Sequence, residues 1–144
     1  MFRPPRPTLA LVAAVFVLAG ACSDASGDEA ATQPAPAPGP DLSGVTFEDA
    51  TGLAEVEIDV RDNTFDPQHL EVSAGTTITF TNVGRTEHNV YPAADGAFAP
   101  IDAADLEPGE ARTLTLGEPG VVPYYCTLHG TTSKGMVGAI RVVA

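Results

Sequence analysis

From Ala54 onward, apolar and polar residues alternate along most of the chain. AEVEIDV sets Val56, Ile58 and Val60 on one face and acidic residues on the other, the period-two pattern of a half-buried strand. HLEVSAGTTITFTN reads as two strands joined by a turn at Ser73-Ala74-Gly75, and its β-branched run from Thr76 to Thr81 suits a pleated surface. HNVYP, ARTLTL, VVPYYC and MVGAIRVV continue the pattern between turn clusters such as EPGE and GEPG. No window carries a long helical period. About seven or eight short strands, with turns roughly ten residues apart, predict an all-β fold, a Greek-key β-sandwich.

The upstream sequence has a different texture. LALVAAVFVLAGA, Leu9 to Ala21, is an unbroken apolar run behind Arg3 and Arg6, and small residues lead to Cys22, so residues 1–22 read as an export leader. The run is short for a membrane-spanning helix. LAGAC resembles a lipobox, although Ala19 rather than a leucine lies three before Cys22. That likeness implies a lipidated Cys22 that anchors the protein to the outer face of the cell membrane. Cleavage after Ala21 without lipidation, giving a soluble secreted or periplasmic protein, is the alternative. Residues 23–50 are rich in Ala, Pro and acids, bury almost nothing, and read as a disordered tether. Residues 51–144 remain as the folded domain.

Composition then narrows the chemistry. With 14 Gly, 13 Pro and no Trp, many turns and a modest core are expected. The formal charge is −12, and loss of the leader would remove basic residues only. Such a surface disfavours nucleic acid and anionic headgroups; a basic docking face on a partner, or plain solvation, remains open. Of the two cysteines only Cys126 lies outside the leader region, so no intramolecular disulfide is expected. A lone exported cysteine points to pairing between molecules or to a metal.

Cys126 has uncommon company. YYCTLHGTTSKGM, Tyr124 to Met136, gathers a thiol, an imidazole and a thioether in a Gly- and Thr-rich segment, and TNVGRTEHNVYP offers His88. Two imidazoles, a thiolate and a weak thioether form the donor set of blue-copper centres. Cys126 and His129 are two residues apart, so a strand end and a tight turn can present both to one ion. Gly130 and Gly135 let the loop fold back, and Met136 opens the last strand. Each residue also has a plainer reading: Cys126 as a small buried hydrophobe, His129 in a surface loop, His88 at the start of a strand, Met136 as core. His69, in DPQHLEV, has no donor neighbours and reads as exposed, and Phe65 reads as a core anchor.

GTTITFTNVGRTEHNV and GVVPYYCTLHGTTSKGMVGAIRVV resemble the two copper-binding segments of the plastocyanin and azurin family, the cupredoxins. The resemblance covers roughly residues 54–144. It implies that His88, Cys126, His129 and Met136 are the ligands of one type 1 copper ion. It also implies that Asn89 ties the two ligand segments together and supports the cysteine sulfur. One departure is the six residues between His129 and Met136, where plastocyanin has four. The implied activity is one-electron transfer by a monomer between redox partner proteins. His129 would be the electron port, within an apolar patch that includes Leu128, Pro92 and Ala93. Four protein donors leave no open position for a substrate, so an enzyme is not expected. Copper nitrite reductases and multicopper oxidases need more histidines than the three present here. The alternative function is a copper carrier or buffer that delivers metal to another cuproprotein, although no Met- or His-rich tract is present.

Overall fold

The computed structural model describes residues 39–144; the expected leader with Cys22, and residues 23–38 of the expected tether, lie outside the described residues. Alternation in the sequence becomes alternation in burial. After a two-residue β1 (Glu48–Asp49), strand β2 (Glu55–Arg61) buries Ile58 and Val60 completely and leaves Glu55 and Glu57 in solvent. The remaining strands are β3 (Thr64–Asp66), β4 (His69–Ser73), β5 (Thr77–Asn82), β6 (Tyr91–Pro92), β7 (Ala111–Thr115), β8 (Gly120–Gly130) and β9 (Gly135–Val143). A one-turn 3-10 helix, Ala103–Asp105, precedes β7.

These strands form two sheets, one of order β1-β4-β9-β8-β6 and one of order β3-β2-β5-β7. β4 and β5 are consecutive and joined by the expected turn, yet they belong to different sheets, so this connection crosses the sandwich. β2 and β5 run parallel with Val60 opposite Asn82, and the loops that follow both strands therefore emerge at the same end. β8 and β9 form an antiparallel hairpin whose register shifts between Tyr125 and Gly130.

Between the sheets lies an aromatic cluster. Phe65, the expected core anchor, meets Tyr124 edge to face at 4.8 Å and Phe80 at 6.2 Å between ring centroids. All three side chains are buried, and burying each contributes about 2–3 kcal/mol relative to exposure. The Tyr124 ring fits only because position 138 is glycine: a Cβ there would lie 2.4 Å from the ring.

The all-β sandwich agrees with the alternating pattern, and four details differ from it. Nine strands are present among the described residues, because two-residue pairings at β1 and β6 are too short to leave a pattern in sequence. β1 pairs with Leu70 and Glu71 of β4, so sheet structure begins ahead of residue 51. HNVYP is a strand only at Tyr91–Pro92, and His88 sits in the loop before it. His69 opens β4 half-buried, its ring edge-on to Phe47 at 5.7 Å, rather than exposed in a turn. No helix among the described residues is long and apolar enough to cross a membrane.

Candidate metal centre

The loop after β5 is shaped by one buried amide. Asn82 donates through Nδ2 to the carbonyls of Thr86 (2.9 Å) and Leu106 (2.8 Å), and its Oδ1 accepts the Gly84 N–H at 2.9 Å. Both N–H donors and the carbonyl oxygen of this buried amide thereby have partners, which fixes the path of residues 83–87. His88 follows that path to a position with no solvent exposure. Its Nδ1 lies 3.8 Å from the Cys126 Sγ.

Cys126 comes from the opposite sheet. It is fully buried on β8, inside the stretch where the β8–β9 register shifts. An irregular stretch of this kind re-aims side chains, and here Cys126 and His129 turn toward one point although β8 runs on to Gly130. The Cys126 Sγ lies 3.5 Å from the His129 Nδ1, and the His88 and His129 rings lie 4.7 Å apart. One donor atom from each of His88, Cys126 and His129 falls within 4.8 Å of the others.

Beyond His129 the chain makes a tight hairpin. Gly130 pairs with Gly135, and the Thr131 N–H donates to the Lys134 carbonyl at 2.8 Å. Gly135 has a φ of 83°, and a Cβ on it would lie 2.6 Å from the His129 carbonyl oxygen. Only glycine fits that turn. The six residues between His129 and Met136 are therefore taken up by the pair and its turn. Met136 emerges as the first buried residue of β9, 1% exposed and in the same core cluster as Cys126.

Asn89 ties the two segments together. Its Oδ1 accepts the Thr127 N–H at 2.8 Å and its Nδ2 donates to the Thr127 Oγ1 at 2.8 Å, a two-way bond next to Cys126. His88 also has a partner on its outer edge: the Nε2 lies 3.4 Å from the Thr86 Oγ1 and 3.7 Å from the Asp62 Oδ1. Asp62 and Asn82 gave no signal in sequence, because their role depends on the parallel pairing of β2 and β5.

The donor set fits a tightly held transition-metal ion. With metal–nitrogen bonds of about 2.0 Å and metal–sulfur bonds of about 2.3 Å, trigonal ligands sit about 3.7 Å apart, close to the 3.5 and 3.8 Å found here. Burial, and then the nearby His129, push the His88 imidazole below its ordinary value, so it is neutral and free to coordinate near pH 7. A thiolate, two imidazoles and a thioether suit copper in both its common oxidation states.

Comparison with known proteins points the same way. The family model described as copper binding proteins, plastocyanin/azurin family, matches residues 53–143. The plastocyanin of Solanum crispum is 36% identical over 87 residues, covering 54% of this chain and 86% of that protein. The chloroplastic plastocyanin of Hordeum vulgare is 35% identical over 85 residues, covering 54% of this chain and 54% of that protein, so this chain spans about half the length of that relative. A reduced amicyanin variant of known structure superposes with a TM-score of 0.53 at 25% identity, covering 76% of this chain and 95% of that one.

Proposed function

Because the chain belongs to the plastocyanin/azurin family of copper-binding proteins, we propose that His88, Cys126, His129 and Met136 hold one type 1 copper ion, and that the protein carries single electrons between extracytoplasmic redox partners. The observation that supports this most strongly is the convergence of the Cys126 sulfur and two histidine nitrogens at one buried point. Bound copper supplies a one-electron couple between Cu(II) and Cu(I). Everything else is the work of the chain.

Asn82 and the Asn89–Thr127 pair hold the ligands in a fixed arrangement, so little has to move when the charge of the centre changes. Such pre-organisation lowers the reorganisation needed for electron transfer. Cys126, His88 and Met136 are buried, whereas His129 is half-buried and follows Leu128, which is 48% exposed. His129 is therefore the proposed contact point for partners. With four protein donors the centre has no position for a substrate, and the protein is proposed to be a carrier of electrons rather than an enzyme.

The location rests on the sequence. An export leader at 1–22 and lipidation at Cys22 would anchor a monomeric domain, which already includes β1 at Glu48–Asp49, to the outer face of a membrane. Without lipidation the same domain would be soluble outside the cytoplasm.

Redox cycling with a Cu(I) chelator present tests the function. A copper-loaded electron carrier takes up and returns one electron per copper over repeated rounds of mild reductant and oxidant, and keeps its metal. Loss of copper to the chelator in the first reduction would instead mark a protein that delivers the metal.

A further inference from the structure

The imidazole of His88 has two edges. Nδ1 faces Cys126, and Nε2 faces away from the proposed copper ion toward the loop that follows β2. On that side stand a neutral hydroxyl, Thr86 Oγ1 at 3.4 Å, and a charged carboxylate, Asp62 Oδ1 at 3.7 Å.

Asp62 is not there by accident of a mobile side chain. Its Oδ1 accepts the Arg85 backbone N–H at 2.9 Å and its Oδ2 accepts the Arg85 Nε–H at 3.0 Å. Gly84 makes the approach possible, since a Cβ there would lie 2.7 Å from the Asp62 Oδ1 and 3.2 Å from the Asp62 backbone nitrogen. The parallel register of Val60 with Asn82 brings both loops to the same end of the sheet. Carboxylate, backbone amide and glycine together hold one negative charge against the outer edge of a fully buried imidazole.

Resting on the copper reading above, we propose that Asp62 is a positioning residue for His88, and that its charge tunes the metal centre in favour of Cu(II). Asp62, an acceptor only, favours the tautomer with hydrogen on Nε2, which leaves Nδ1 free as a ligand; the Thr86 hydroxyl can pair with Nε2 in either tautomer. Only Asp62 adds charge. A carboxylate behind a ligating imidazole makes the imidazole a stronger donor and stabilises the more positive state of the ion. The Arg85 guanidinium does not cancel this, because its side chain is 91% exposed and screened by water, whereas the Asp62 side chain is 30% exposed and the His88 side chain fully buried.

The test compares wild type with Asp62→Asn, which keeps an oxygen for the Arg85 amide and removes the charge. Asp62→Asn lowers the ratio of Cu(II) to Cu(I) affinity about tenfold, which is a rise of about 59 mV in reduction potential. Arg85→Ala and Thr86→Val give no such rise. In metal-free protein, nitrogen-detected NMR of the His88 ring reports the Nε2–H tautomer, and its hydrogen exchanges faster in Asp62→Asn. Should Asp62→Asn not fold, Asp62→Ser keeps a short acceptor and carries the same expectations. An unchanged potential in a folded Asp62 variant overturns the proposal. The wild-type spectrum separates this outcome from failure of the copper reading itself, because only the second leaves wild type without a strong copper–sulfur absorption.

Discussion

His88 reaches the proposed metal centre from a loop tied down by the side chains of Asn82 and Asp62, whereas Cys126, His129 and Met136, its other proposed ligands, lie on a β8–β9 hairpin held mainly by backbone pairing and two glycines. The first segment buries its two anchoring side chains, Asn82 and His88, although Val83 and Arg85 between them face water. The second opens outward at Leu128 and His129. One side fixes where a ligand stands, and the other offers a ligand to the surface. A protein that exchanges electrons without exchanging its metal needs both properties, rigidity around the ion and one accessible edge. Asn89 joins the two sides through Thr127, so neither moves independently.

The contrast can be broken from the rigid side first. Asn82→Ala removes three hydrogen bonds and leaves the buried Leu106 carbonyl short of a partner, with an expected loss of about 4 kcal/mol in urea unfolding. Copper affinity should fall with it, because the His88 loop loses its path. From the hairpin side, Gly135→Ala forces a side chain into left-handed backbone against the His129 carbonyl and costs about 2–3 kcal/mol. Its spectrum should change more than its core, since Phe65, Phe80 and Tyr124 are untouched; near-UV circular dichroism of the tyrosine checks this. Met136→Leu keeps the apolar volume and removes the thioether. The colour should persist while the reduction potential rises, and an unchanged potential would show that Met136 is core alone.

The smallest effect is on acid stability. The Arg85 backbone N–H, then its side chain, hold the Asp62 carboxyl below its ordinary value of 3.8. A carboxyl with a lowered folded value stabilises the fold fully above its unfolded value, and that contribution disappears as pH falls through the lower folded value. Wild type is therefore expected to be more stable than Asp62→Asn near neutral pH. The two should converge in acid below the ordinary value, as read by thermal melts across pH. A constant gap at every pH would assign the difference to packing instead of charge.

Much of this was legible in the sequence. The period-two runs of β2, β4 and β5 marked their buried faces, because alternate residues of each strand meet the core; β7 alternates only between half-buried and exposed, and β9 also buries Ala139 on its second face. The scarcity of Cys, His and Met made YYCTLHGTTSKGM conspicuous, and the geometry brings Cys126 and His129 together with His88. Asp62 was not legible. It lies 26 residues before His88, and only the alignment of Val60 with Asn82 across two parallel strands puts it behind the imidazole. The same limit hid the placement of β4 and β5 in different sheets, since a local pattern carries no record of which strand it pairs with. The longer step to Met136 was visible as a count, while its closure by the Gly130–Gly135 pair required the hairpin itself.

The central claim is that Cys126 is a thiolate ligand of a buried type 1 copper ion. Titration of purified protein with Cu(II), followed by visible and electron-spin resonance spectra, tests it most directly. The expected result is an intense blue or green absorption that saturates at one copper per chain, with the narrow copper splitting of a sulfur-bound centre, and that is absent from Cys126→Ala. A pale complex with ordinary wide splitting, or the same colour in Cys126→Ala, would contradict it.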